Sequence, residues 1–192
     1  MKSAIFNRRG LLMAAGGFAF LPPAARLPAG EAPKPRGAAV LTIAGRIGKE
    51  NRAGYDAGQD LFFTYHGKTF AHAFELDRAM LEELGMKQAT LAYAAWPEPI
   101  NVEGPLLRDV LTAADATQGK IRMTALDGFT TEMAWNDLTK EAWIVALSAN
   151  GKPLGIGQRG PSWVVYSRRD GKPATAEDEA RWPWAAFLIE IE

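Results

Sequence analysis

Apolar positions along this chain come mostly in short, strand-like runs, and only two stretches carry helical spacing. Ala38 to Ile47, with Val40, Thr42 and Ile43, predicts a first strand, and the polar, glycine-rich Glu50 to Gln59 predicts a loop. Leu61 to Tyr65 is a short aromatic run that predicts a strand. With a turn at His66-Gly67 and a return over Thr69 to Leu76, it reads as a hairpin. Asp77 predicts a helix N-cap whose carboxylate accepts a backbone N–H near Met80, and Gly85 stands where that helix ends. Thr90 to Ala95 predicts another strand, followed by Trp96-Pro97-Glu98-Pro99, which two prolines hold extended. Gly104-Pro105 predicts the start of a second helix, with Leu106, Leu107, Val110 and Leu111 as its apolar stripe.

The second half repeats the strand-and-turn pattern. Lys120 to Leu126 and Phe129 to Trp135 flank Asp127-Gly128, a hairpin signal. Ala142 to Ala149 is almost wholly apolar and predicts one buried central strand. Asn150-Gly151 is a second hairpin signal, leading into Lys152 to Ile156. Ser162 to Tyr166 predicts a strand, Arg168 to Glu179 a polar surface loop, and Ala185 to Ile191 the closing strand. Many short strands with two helices fit an α+β domain, mostly antiparallel β on curved sheets with a few short helices.

The N-terminus follows a different pattern. Lys2, Arg8 and Arg9 precede an uncharged apolar run from Gly10 to Leu21, then Pro22-Pro23 and small residues up to Ala29. A basic, an apolar and a small-residue region in that order predict an export signal over residues 1–29, with 30–37 as a flexible lead-in and 38–192 as the folded domain. The paired arginines also fit a twin-arginine signal, so twin-arginine and general export both stand as readings. The apolar run is shorter than the ~20 residues a spanning helix needs, so the expected mature protein is periplasmic and not membrane-embedded.

Removing residues 1–29 leaves 18 basic against 22 acidic side chains, a net charge of −4. That balance lacks the positive footprint of a nucleic-acid binder. The chain has no cysteine. Thiolate catalysis, disulfides, thiolate metal ligands and C-x-x-C-H haem attachment are therefore excluded. Neither His66 nor His72 belongs to a ligand-spaced pair, and the chain has no nucleophile elbow, phosphate-binding loop or dinucleotide fingerprint. Glu82 and Glu83 read as a solvated helix edge, and Asp127 as part of its turn. Glu98 and Glu103 flank the proline-stiffened segment and are candidates for a pocket. Six tryptophans are the more suggestive feature, because indoles stack on planar heterocycles. Trp96, in the stiff loop, is the leading candidate, with Trp163, Trp182 and Trp184 also beside loops.

From about Val40 to Ile191 the sequence resembles the molybdopterin-binding oxidoreductase domain of the sulfite oxidase family, in its short, exported, single-domain branch. The resemblance rests on an ordered set: Ala95-Trp96-Pro97, Glu103-Gly104-Pro105-Leu106-Leu107-Arg108-Asp109, Asp127-Gly128-Phe129, Ala149-Asn150-Gly151-Lys152-Pro153-Leu154, Gly160-Pro161-Ser162-Trp163 and Arg181-Trp182-Pro183-Trp184. It implies a sulfite oxidase-like molybdopterin-binding fold around a pterin pocket. The family's oxidases hold molybdenum through a protein cysteine, which this chain lacks, so the departure argues against molybdenum. Within the same branch, some periplasmic proteins bind a reduced pterin without metal and dock on the periplasmic domain of a membrane-bound cyclic-di-GMP enzyme. The resemblance therefore implies a non-catalytic pterin sensor, with a cysteine-free molybdenum-cofactor oxidoreductase as the alternative. In that reading Trp96 stacks on a reduced pterin or molybdopterin, and Glu98 or Glu103 accepts from its amino and ring N–H edge. Arg108 and Arg159 face a carbonyl or a polar tail, and Trp163 and Tyr166 line the cavity. Arg108 as a helix-surface charge and Trp163 or Tyr166 as core residues remain alternatives.

Overall fold

A computed structural model describes residues 32–192. The expected export signal lies outside the described residues. Three antiparallel-dominated sheets and five short helices make an α+β unit. The six-stranded sheet has the order β2-β3-β1-β12-β6-β7. It is built from β1 (Ala39–Gly45), β2 (Arg52–Ala53), β3 (His72–Asp77), β6 (Lys120–Ala125), β7 (Thr130–Ala134) and β12 (Ala186–Ile191). All its pairings are antiparallel except β1 with β12, where the first and last strands of the described chain run parallel from Thr42–Leu188 to Gly45–Ile191.

A four-stranded sheet joins β4 (Lys87–Leu91), β5 (Ile100–Gly104), β9 (Ser148–Ala149) and β10 (Lys152–Pro153), and β8 (Ala142–Ala146) pairs with β11 (Trp163–Ser167). The apolar stretch expected as one central strand therefore divides at Leu147 between two sheets. The amide of Leu147 donates to Glu103 O (2.8 Å) and that of Val145 to Pro105 O (2.9 Å), which ties β8 to the end of β5. Those bonds keep Glu103 to Pro105 extended, so the helix expected from Gly104-Pro105 begins two residues later as α3 (Leu107–Ala113). β5 passes so close that a Cβ on Gly104 would lie far inside van der Waals contact with the Val145 carbonyl oxygen.

Asp77 caps α2 (Arg78–Glu83) as expected, accepting from Met80 N at 2.8 Å. It also accepts from the amides of Arg36 and Gly37, and these bonds hold its carboxyl below the ordinary range. Asn150 and Gly151 both have positive φ, 48° and 74°, the backbone of a type I′ hairpin turn between β9 and β10.

Two elements differ from the sequence reading. Leu61–Tyr65 is a single helical turn, α1, not a strand. Asp60 is held by Arg52 and accepts from Asp56 N, and the turn this makes sends Phe63 inward onto Phe70 and Phe187. Tertiary aromatic packing overrides β propensity there. The expected polar loop contains α5 (Ala176–Glu179), started by a reciprocal Thr175–Asp178 capping box. The remaining helix, α4 (Asp137–Lys140), follows β7.

The main core lies among the sheets and is filled by Leu41, Phe74, Leu107, Met123 and Trp163, all essentially inaccessible. A smaller cluster of Ala44, Phe63, Ala73, Phe187 and Leu188 sits under α1. Among the described residues no helix is long and apolar enough to cross a membrane.

Candidate functional site

Four tryptophans converge from three parts of the chain. Trp96 is placed by the turn after β4, where its amide donates to Tyr93 O (2.9 Å). Trp163 opens β11, and Trp182 and Trp184 lie between α5 and β12. The ring of Trp96 is 5.9 Å from that of Trp163 and 6.2 Å from that of Trp182, and Trp184 forms a β-bridge with Trp163.

Arg159 is inserted into this cluster. Its guanidinium carbon lies 5.1 Å from the centre of the Trp96 ring and 4.9 Å from those of Trp163 and Trp184. Its carbonyl accepts from Ala185 N (2.9 Å), which pins the residue against the start of β12. Burial pushes the guanidinium below its ordinary value, although Glu179 acts in the opposite sense. Among the described residues, Arg159 Nε, Trp163 Nε1 and Trp182 Nε1 are buried without a hydrogen-bond partner. Three orphaned donors in one cluster call for a physical reason, because buried polar groups are nearly always satisfied.

Beside the cluster, Trp182, Trp184, Phe129, Asp127 and Glu179 line a cleft of about 210 Å³. That space fits one small planar ring system rather than an extended ligand. Asp127 Oδ1 is committed to its own turn, accepting from Phe129 N (2.9 Å). The Glu179 carboxylate makes no hydrogen bond or ion pair among the described residues. The cleft thus has an uncommitted carboxylate at one side and aromatic walls, and the Arg159 guanidinium, which does not itself line it, packs on the Trp184 ring.

The site residues expected from sequence divide into two groups. Trp96, Arg159 and Trp163 come together, and Trp163 forms part of the buried core as well. Tyr166 reaches the cluster only through Trp182, whose ring stands perpendicular to it at 5.6 Å. Its hydroxyl donates to Asp178 Oδ1 (2.5 Å), and burial together with that bond raises it above the ordinary tyrosine range.

None of the seven expected site residues lines the cleft itself, and Glu98, Glu103 and Arg108 do not belong to the adjacent tryptophan cluster either. Glu98 is exposed on its loop. Glu103 lines a separate groove with Gln88, Thr90, Asn101 and Ser148, on the β4–β5–β9 sheet. Arg108 is exposed on α3, 3.4 Å from Asp109, and borders a hollow with Glu141 and Arg169. The acid the cleft does offer is Glu179, which sequence reading placed in a surface loop. The Thr175-x-x-Asp178 capping pattern was the available signal, since it starts a helix that ends with Glu179 at the cleft.

Another concavity, about 810 Å³, is a broad depression crossed by the Lys120–Glu132 and Arg181–Asp137 ion pairs. Its charges are mutually satisfied. The described residues contain no group of three His, Asp or Glu side chains placed to hold a metal, and the chain has no cysteine. That donor set does not fit molybdenum held by a protein ligand. The chain matches no protein-family model and no curated protein.

Proposed function

We propose that the protein is a periplasmic pterin-binding protein of the sulfite oxidase-like fold. In this reading it senses a reduced pterin without catalysis and acts on a membrane signalling partner, the periplasmic domain of a cyclic-di-GMP enzyme. The observation that carries the reading is the free Glu179 carboxylate beside Trp182 and Trp184, with the unpaired Arg159 guanidinium stacked on Trp184.

A pterin has an amino group next to a ring N–H, and a carbonyl beside that pair. The two donors match the two oxygens of one carboxylate, and the carbonyl matches a guanidinium. The flat bicyclic ring suits indole walls. Glu179 replaces Glu98 and Glu103 as the residue for the donor edge, and Trp182 and Trp184 join Trp96 as aromatic contacts. If molybdopterin were the ligand, these same residues would hold its pterin ring, and the metal would find no thiolate on the chain.

The direct test is titration of purified protein with sepiapterin, a dihydropterin, followed by tryptophan fluorescence. Saturable quenching is expected, weakened at least about tenfold in Trp184→Ala and Glu179→Gln, the scale of one lost charge-assisted contact. Trp135→Ala, in the separate ion-paired depression, should bind as wild type. Equal quenching in all three variants, or guanosine binding as well as sepiapterin, would remove the pterin assignment.

A further inference from the structure

The aromatic surface continues beyond the cleft. Leu61 and Tyr65 on α1 are 67% and 83% exposed, and Phe62 between them is also exposed. Phe62 packs edge-on against His66 (4.6 Å) and Phe187 (4.9 Å), so these side chains stand on the small core beneath α1. His66 abuts the β6–β7 turn, where a Cβ on Gly128 would sit 3.8 Å from its Nδ1. The next residue, Phe129, is exposed and lines the cleft with Trp184. Leu61, Phe62, Tyr65, Phe129 and Trp184 thus form one stripe from α1 to the cleft mouth. Aromatic clusters of this kind on a soluble domain mark binding surfaces rather than random exposure.

We infer that this stripe is the docking face for a protein partner presenting apolar side chains flanked by lysine or arginine. The charges around it select that occupant. The cations at its border are already engaged: Arg52, stacked on Phe63 and Phe70, is bound by Asp60 and Glu75, and Lys68 lies 2.6 Å from Glu190. At the cleft mouth Glu179 and the Arg159 guanidinium act on each other and offset, while Asp127 meets no cation among the described residues. The uncompensated charge is therefore negative. An anionic membrane surface would be repelled by it. A second copy related by a twofold axis through the stripe would set this acid against itself. A cationic partner gains on both counts.

Phe129 and Trp184 belong to the stripe and to the cleft. A partner seated on the stripe covers the cleft mouth and touches whatever fills it. Only this last step, the reading of cleft occupancy, rests on the pterin proposal.

The test is site-specific photo-crosslinking of the full chain in its own periplasm, with p-benzoylphenylalanine at Tyr65 and, as control, at the exposed Thr112 on α3. The expected result is one heterologous protein captured from Tyr65 and not from Thr112, through a peptide that carries lysine or arginine. Capture should fall about tenfold with Leu61→Asp and measurably with Asp127→Asn, which keeps an oxygen for the Phe129 amide, while thermal unfolding is unchanged. Cross-links to a second copy, to lipid alone, to the same products as Thr112, or to a peptide without a basic residue would each overturn the inference. Sepiapterin titration of Leu61→Asp separates the two proposals. Capture lost with binding retained concerns docking alone, and capture retained by a protein that binds no pterin leaves the docking face standing without the ligand assignment.

Discussion

The guanidinium carbon of Arg159 lies 4.9 Å from the centre of the Trp163 ring, and its Nε is buried with no hydrogen-bond partner among the described residues. No carboxylate lies within ion-pair distance of it among the described residues. Cation–π contacts return about 0.5–2 kcal/mol each, and desolvating a cation without a counter-ion costs energy of the same order or more. The side chain therefore adds little to folding.

The first prediction concerns that residue. Arg159→Met keeps the apolar bulk and removes the charge. Its unfolding free energy in urea should stay within about 1 kcal/mol of wild type, while sepiapterin affinity falls at least about tenfold. Arg159→Lys should lose affinity as well, because an ammonium cannot stack as a planar guanidinium does. A destabilisation above about 3 kcal/mol in Arg159→Met would make the residue a structural support instead.

A second prediction concerns acid stability. Burial alone would raise the Asp178 carboxyl, but hydrogen bonds from Tyr166, Thr175 and Arg168 outweigh it and hold the group at about 2. A depressed folded value means stability that is present above the unfolded value and lost as pH falls through the folded one. Asp178 should thus contribute about 2 kcal/mol above pH ~4, disappearing between pH ~4 and ~2. Asp178→Asn should lose that amount at neutral pH and flatten the acid limb of the stability profile. Urea titrations at stepped pH would check both.

A third prediction uses two glycines. A Cβ on Gly104 would collide with the backbone of Val145, which has no flexible side chain to move aside. Gly104→Ala should cost about 3 kcal/mol or leave the protein unfolded. At Gly155 a Cβ would meet nothing within 4 Å. Gly155→Ala should be neutral or slightly stabilising, since it only narrows the unfolded ensemble. Thermal melts of the pair would show the contrast.

The parts of the fold legible in the sequence were those encoded locally. Asp77 as an N-cap, the Asp127-Gly128 turn and the Asn150-Gly151 hairpin depend on neighbours a few residues away, and each is found as expected. α1 is not legible in the sequence because Leu61 to Tyr65 has a strand's composition and becomes helical only through Phe70, Phe187 and the Arg52–Asp60 pair, most of them outside the run itself. The same limit applied to the site. Trp96 and Trp163 could be singled out as residue types beside turns, and Arg159 only through the family resemblance. That Glu179 and not Glu103 faces the tryptophans depends on how α5 and β12 fold back on the β6–β7 turn, and no local pattern encodes that.

The central claim is that the cleft holds a pterin without molybdenum. The measurement that tests it most directly is mass spectrometry of small molecules released from protein purified out of its own periplasm, with elemental analysis for molybdenum on the same sample. The account predicts a pterin near one equivalent per chain, no stoichiometric molybdenum, and loss of the pterin from Glu179→Gln. Stoichiometric molybdenum, or protein that carries no pterin at all, would contradict it.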